Sequence, residues 1–184
     1  LRRAKAQGVR VTAEVCPHHL VLTDESVRGY DPDFKVSPPL RSAADVAACV
    51  EGLREGVIDV IASDHAPHLA EEKELEFAAA PFGVIGLETT LGVLLTELVH
   101  TGRLPLGALV TRLTTAPSEV LGLQRGSLAP GRPGDVTVID LEREWTVEPG
   151  RFRSKSVNCP YRGRKLRGAA AATVVGGKVV FRQG

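Results

Sequence analysis

The sharpest change in the pattern of hydrophobic and polar positions lies at residues 57–68, VIDVIASDHAPH. A run rich in β-branched residues gives way abruptly to Asp64 and His65, with His68 just beyond. Such a run predicts a strand buried on both faces, as in a parallel sheet. Asp64 would then be the first polar side chain to project from the strand's end, which suits a metal ligand or a general base. The alternative is that Asp64 caps the next turn and both histidines are loop residues.

The flanking pattern predicts alternating strands and helices. Residues 9–16 alternate like a strand, and residues 42–55 read as a helix that begins with a capping-box pattern at Ser42 and Asp45. Strand, loop, helix and strand in this order are typical of a parallel α/β fold. Further helices are predicted at residues 88–100, 106–113 and 117–121, the last with Thr115 as N-cap and Gly122 just past its end.

The pattern changes after residue 124 to turns and short strands. A strand is predicted at residues 136–139, and Gly176-Gly177 is typical of the two-residue turn of a hairpin. Residues 125–184 are therefore assigned to a small β unit. Within it, residues 151–167 carry several basic residues and no acidic one. We interpret them as solvated surface or a subunit contact, with an anionic partner as the alternative.

Three loops carry candidate functional residues. His18 and His19 follow the first predicted strand and either bind a metal or hold the loop, and in an extended segment only one of them would face a site. Two consecutive prolines make residues 34–41 a stiff extended loop. In the long segment 69–87, Pro81-Phe82-Gly83 would let the backbone approach a ligand, whereas the charged section AEEKELE is interpreted as a solvated face.

Composition adds few constraints. The 184 residues, 43% hydrophobic and 24% charged with a net charge of +1, describe an ordinary globular protein without a general attraction for nucleic acid or membrane. No apolar run reaches the roughly 18 residues that span a bilayer. The three cysteines lie far apart, which argues against a disulfide framework and favours a reduced, cytoplasmic setting. A chain without methionine that opens inside a helix pattern suggests a piece of a longer protein.

Four motifs occur in an order that resembles the dihydroorotases of the amidohydrolase superfamily. They are VTAEVCPHHL, FKVSPPLR, VIASDHAPH with EEK, and APFGVIGLET. The later element LAPGRPGDVTVID resembles the wider superfamily, including hydantoinases and allantoinases. The resemblance implies a metal-dependent (β/α)8 barrel with a small β-sandwich built from both chain ends. Because such a barrel takes about 250 residues, we expect residues 1–124 to be the C-terminal part of the barrel and residues 125–184 a β-sandwich segment.

The resemblance also implies roles for individual residues. Asp64 matches the aspartate that binds a catalytic metal and acts as general base and acid, and the family's other metal ligands would lie upstream. His68 matches a substrate-binding histidine, and Phe82 and Gly83 match a pair that lines the substrate through the backbone. His18 and His19 match a PHH motif that does not bind the metal.

Ser37 departs from the family pattern, which reads NPPLR with an asparagine that contacts the substrate ring. Serine keeps a donor and an acceptor but is shorter, so a bridging water or an altered substrate preference is expected. Arg41, in the same loop, is interpreted as a structural residue.

The implied activity is the reversible hydrolysis of the cyclic amide of dihydroorotate to N-carbamoyl-aspartate in pyrimidine synthesis, with one or two zinc ions and a possible homodimer. The chain alone would be inactive because most metal ligands would be absent. The first alternative is another cyclic amidase, such as a hydantoinase or an allantoinase. The second is a non-catalytic dihydroorotase-like subunit that scaffolds a partner such as aspartate transcarbamoylase.

Overall fold

A short parallel sheet lies at the centre of the first part of the fold. The computed structural model describes residues 1–183, in which β1 (Glu14–Val15) pairs in parallel with β2 (Val60–Ile61). Hydrogen bonds extend the pairing slightly, since the Asp59 amide donates to the Ala13 carbonyl at 2.9 Å. The expected strands at 9–16 and 57–64 are therefore correctly placed but much shorter as paired segments. Among the described residues, β1 and β2 pair only with each other, and only two residues of each strand take part in the ladder.

The helix between the two strands agrees closely with the sequence pattern. It runs over Ala43–Arg54 (α3), and Ser42 and Asp45 exchange side-chain and backbone hydrogen bonds as a capping box. Its apolar stripe is buried, and Gly56 follows in a left-handed conformation with φ 77°. The predicted helix, its cap and its end are confirmed.

The remaining helices are short. The predicted helix at 88–100 is present, but its second half, Leu95–Val99, is a π-helix. The last predicted helix begins two residues earlier than expected, and Thr114 rather than Thr115 is its N-cap, without a side-chain cap bond. Besides α3, the α-helices are α1 (Arg2–Ala6), α2 (Pro17–Val21), α4 (Ala70–Lys73), α5 (Thr90–Leu94), α6 (Leu106–Leu113) and α7 (Thr115–Val120). Of these, α5 is the first half of the helix predicted at 88–100, and α7 is the last predicted helix. Short 3₁₀ turns occupy Asp24–Val27, Pro32–Phe34 and Pro149–Arg151.

The two histidines after β1 lie in α2, not in an extended segment. Pro17 occupies the first turn of this helix, where its missing N–H and fixed φ are tolerated. The expectation that the two rings point to opposite sides is therefore wrong. Their ring centroids lie 4.3 Å apart, with His18 buried and His19 partly exposed.

The tail forms a three-stranded antiparallel sheet in the order β3–β4–β5. Its strands are β3 (Val136–Thr146), β4 (Lys165–Val175) and β5 (Lys178–Arg182). Gly176 and Gly177 have φ of 56° and 75°, as the predicted hairpin turn requires. The first strand is longer than the predicted 136–139, and residues 147–164 leave the sheet between β3 and β4.

Two apolar clusters hold these parts together. One packs α3 and the helical segment 90–99 against the parallel strands, with Leu53, Leu94, Leu95 and Leu98 fully buried. The other joins residues 84–85 to Tyr161 and Leu166 of the tail. The tail is thus anchored to the helices beside the parallel sheet. Among the described residues, no helix has the length and apolar character needed to cross a lipid bilayer.

Candidate active site

Asp64 lies three residues past the end of β2. Asp64 is exposed to solvent, and its carboxylate makes no hydrogen bond or ion pair with the residues that the structure describes. Its φ is 48°, a left-handed conformation that aspartate tolerates better than most residues but that still carries strain. A strained, unpaired carboxylate at the end of a buried strand is available to bind a cation or to accept a proton.

His65 has a structural role. It forms a parallel bridge with Val84, and the next amide, of Ala66, donates to the Val84 carbonyl at 2.9 Å. Its Nδ1 accepts a hydrogen bond from the backbone amide of Gly86 at 3.1 Å, and the Leu87 amide lies 3.4 Å away. His65 therefore ties the segment after β2 to residues 84–87.

This pairing brings three predicted site residues together. Gly83 has φ 126°, and a Cβ added there would lie 2.9 Å from His68 Nε2 and 2.7 Å from the Cβ of Ala66. Only glycine therefore allows the His68 ring to lie this close to the chain. Phe82, just before it, is 55% exposed, and its backbone N–H and C=O make no hydrogen bond with described residues. The other His68 ring nitrogen, Nδ1, lies 3.5 Å from the Glu72 carboxylate.

Ser37 lies in the neighbouring loop. The carbonyl of Lys35 accepts a 2.9 Å hydrogen bond from the Gly83 amide, which fixes this loop beside the Phe82–Gly83 segment. Ser37 is exposed and its hydroxyl has no partner among the described residues. Arg41, interpreted as the residue that holds the loop, is exposed as well. Among the described residues, its guanidinium group makes no hydrogen bond, and only its backbone carbonyl helps to hold the loop, by accepting a hydrogen bond from the amide of Asp24 at 2.9 Å.

Asn158, which the sequence does not single out, joins the segment after β2 to the segment at 82–84. Its side chain is 2% exposed and donates to the carbonyls of Ala66 and Gly83, both at 3.0 Å. The Ser156 hydroxyl lies 2.6 Å from its Oδ1 and also contacts the His68 carbonyl, so its single hydrogen is shared between these two acceptors. Reading this segment as solvated surface is therefore wrong at these positions. No local signal marks Asn158, because the alternation of polar and apolar residues in SVNCPY would bury Val157 and expose Asn158, the reverse of what the structure shows.

Two lysines of the site region are also buried. Lys73 is 8% exposed and donates to the carbonyls of Pro81 at 3.1 Å and Gly83 at 3.0 Å. Burial lowers its pKa, partly offset by the nearby carboxylates of Asp33 and Asp31. Lys35 likewise donates to backbone carbonyls of the same loop. The charged section at 70–76 is therefore not a wholly solvated face, because Lys73 turns inward.

A cluster of three potential metal ligands lies at the end of β1. The ligand atoms of Cys16, His18 and His19 all lie within 4.8 Å of one another. Burial, helped by His19, lowers the pKa of His18 to about 3, so its ring is neutral. Burial, together with the charges of Asp64 and Glu14, raises the pKa of Cys16 to about 12. Asp64 itself belongs to no group of three close ligands within residues 1–183.

A cavity of about 850 Å³ lies elsewhere, between α5 and the tail sheet. Its walls are mostly apolar and include Leu91, Trp145 and Phe181. It contains neither Asp64 nor His68. We place the candidate active site beyond the ends of the parallel strands, because Asp64 follows β2 and backbone hydrogen bonds join the segments that carry His68 and Ser37 through residues 83–84.

A model of the amidohydrolase family matches residues 2–180. The chain belongs to the amidohydrolase family. It is 58% identical to the dihydroorotase of Pelotomaculum thermopropionicum over 182 residues, which is 98% of this chain and 42% of that relative. It is 53% identical to the dihydroorotase of Geobacter sp. strain M21 over all 184 residues of this chain, which cover 43% of that relative. The chain thus spans less than half the length of the curated relatives that it matches, and the dihydroorotase resemblance of its motifs is confirmed.

Solved structures of this family share the fold. The L-hydantoinase of Arthrobacter aurescens superposes with a TM-score of 0.94 at 35% identity over 99% of this chain and 42% of that one. The D-hydantoinase of Thermus sp. superposes with a TM-score of 0.91 at 28% identity over 98% of this chain and 41% of that one. The expected α/β amidohydrolase fold is confirmed.

Proposed function

We propose that this chain is the C-terminal portion of a dihydroorotase, with residues 1–124 in the barrel and residues 125–184 in the β-sandwich segment. The protein would add water across the ring amide of dihydroorotate. The C–N bond breaks, the carbonyl carbon gains the hydroxyl group, and the nitrogen gains a proton. The observation that carries this proposal is the 58% identity to a protein named dihydroorotase, against 35% to the L-hydantoinase.

Asp64 is the residue to which we assign metal binding and proton transfer. Its unpaired, exposed carboxylate at the end of β2 fits a cation, since carboxylate oxygen is a normal zinc ligand. Zinc, as one or two ions, would polarise the carbonyl and lower the pKa of water toward 7. Asp64 would accept the proton from the attacking water and return it to the leaving nitrogen. The remaining ligands would come from outside these residues.

The substrate would lie between His68, Phe82 and Ser37. The backbone N–H of Gly83 already donates to Lys35, and its C=O already accepts from Lys73 and Asn158. Gly83 would therefore line the site by leaving room, and the free N–H and C=O of Phe82 would bind the amide edge of the ring. His68 would donate to a substrate carboxylate or carbonyl.

Two readings compete with this one. A hydantoinase or related cyclic amidase is supported by the 0.94 TM-score with L-hydantoinase. A non-catalytic subunit that scaffolds aspartate transcarbamoylase would fit the presence of serine at position 37. A cytoplasmic location, expected from the widely spaced cysteines, belongs to the leading proposal, as does the homodimer expected from the resemblance.

Turnover of three substrates by the intact protein separates these readings. We expect hydrolysis of dihydroorotate to exceed that of hydantoin and allantoin at least 100-fold in kcat/KM. Preferential hydrolysis of hydantoin or allantoin would replace the proposal by the first alternative. No turnover of any of them in zinc-loaded protein would favour the scaffold.

A further inference from the structure

We propose that Cys16, His18 and His19 form an additional metal site, which takes a zinc-like transition-metal cation and does not include Asp64. One thiolate and two imidazoles are a set that zinc and similar borderline-soft cations accept, with a fourth position left for water. The three ligand atoms already lie within 4.8 Å of one another, so small side-chain rotations would bring them around one ion.

His18 provides the first supporting observation. Its residue is 2% exposed, and its Nε2 is buried without any hydrogen-bond partner among the described residues. A buried polar atom without a partner is costly because it has lost its hydrogen bonds to water, so such an atom marks a missing partner. A cation bound by the cluster would supply one.

His19 provides the second observation. Its Nε2 lies 2.8 Å from the carbonyl oxygen of Pro38, so Nε2 carries the hydrogen and donates it. Its Nδ1 is then unprotonated and free to bind a cation. An imidazole that donates from one nitrogen to a backbone carbonyl and binds metal through the other is the usual arrangement in metal proteins.

The surrounding charge favours a cation as well. Asp64 and Glu14 are both close enough to act electrostatically on the Cys16 sulfur. A bound cation would relieve the cost of forming a thiolate between these two carboxylates. Because His19 contacts Pro38, the ion would also fix the loop that carries Ser37 relative to β1.

Cobalt(II) titration of the intact, metal-stripped protein tests this site, because a thiolate ligand gives a sulfur-to-cobalt charge-transfer band that histidine and carboxylate ligands do not. We expect the band in the wild type and its loss in Cys16→Ser. The matched control is Cys49→Ser, which alters another partly buried cysteine outside the cluster and should keep the band. His19→Gln should weaken the cobalt affinity at least 10-fold.

Zinc content gives a second readout. After dialysis against zinc, Cys16→Ser should retain one equivalent less than the wild type, while Asp64→Asn should keep the cobalt band. A wild type without the band, or a band that persists in Cys16→Ser, would overturn the proposal. Loss of dihydroorotate turnover in Asp64→Asn tests the proposed function separately, so the two proposals fail in different measurements.

Discussion

Replacing Asn158 by alanine tests how the two halves of the candidate site are held together. The Asn158 side chain is buried and joins the segment after β2 to the segment at 82–84 through the carbonyls of Ala66 and Gly83. Alanine removes both donors and the oxygen that accepts from Ser156. The two segments would then be joined mainly by the backbone pairing around Val84.

The expected cost follows from the contacts that remain. The Gly83 carbonyl keeps its hydrogen bond from Lys73, whereas the Ala66 carbonyl is left without a partner, which costs about 1–3 kcal/mol. The lost bonds to Gly83 and Ser156 add about 1 kcal/mol each, and the 3.4 Å contact from the His68 amide is too long to count. The total is about 3–5 kcal/mol of local stability.

Native-state hydrogen exchange of the intact protein measures this loss where it occurs. The amides of Ala66 and Gly83 are hydrogen-bonded in the wild type, and a loss of about 3 kcal/mol speeds their exchange by about 150-fold. Val157→Ala is the matched control, because this neighbouring side chain is 39% exposed and makes no contact of this kind. Asn158→Asp should lose at least as much protection as alanine, since it loses both donors and turns a buried carboxylate toward two carbonyl oxygens.

The reasoning would be refuted if both amides of Asn158→Ala exchanged within about threefold of the wild type. The reasoning would also be refuted if Val157→Ala lost as much protection against exchange as Asn158→Ala. In either case the buried amide would not be what holds the two segments together.

Three further changes have defined outcomes. Gly83→Ala should displace His68 and raise the KM for dihydroorotate at least 10-fold, whereas Gly102→Ala, also at positive φ but with open space around it, should leave KM unchanged. Ser42→Ala should lower the free energy of unfolding by about 1 kcal/mol in urea titrations, because the helix loses its cap. In metal-free protein, stability should fall as the pH decreases from 6.5 toward about 3, because the unfolded chain protonates His18 while the folded chain keeps it neutral. His18→Gln should reduce the slope of unfolding free energy against pH by up to about 1.4 kcal/mol per pH unit. An unchanged slope would contradict the conclusion that burial keeps His18 neutral in the folded protein.

The parts of the fold that depend on local pattern could be predicted from the sequence. The capping box at Ser42, the glycine-terminated helices and the Gly176-Gly177 turn all depend on neighbouring residues, and the structure confirms them. The position of Asp64 at the end of a buried strand was also visible, because the switch from β-branched to polar residues is abrupt.

The parts that depend on distant contacts could not be predicted. Asn158 binds the carbonyls of Ala66 and Gly83, which lie 92 and 75 positions earlier in the chain, and nothing in its own neighbourhood indicates these partners. Lys73 looked solvated because its neighbours are charged, yet its ammonium group satisfies backbone carbonyls of a loop that folds over it. The histidine pair was expected in an extended segment after the first strand, because a single turn of helix leaves too short a pattern to recognise.

The central claim is that Asp64 is the proton-transferring metal ligand of a dihydroorotase. Turnover of dihydroorotate by the intact Asp64→Asn protein, compared with the wild type at equal zinc supply and with the fold verified by circular dichroism, tests it most directly. We predict a loss of at least 1,000-fold in kcat with the fold intact. Turnover within about tenfold of the wild type would contradict the claim.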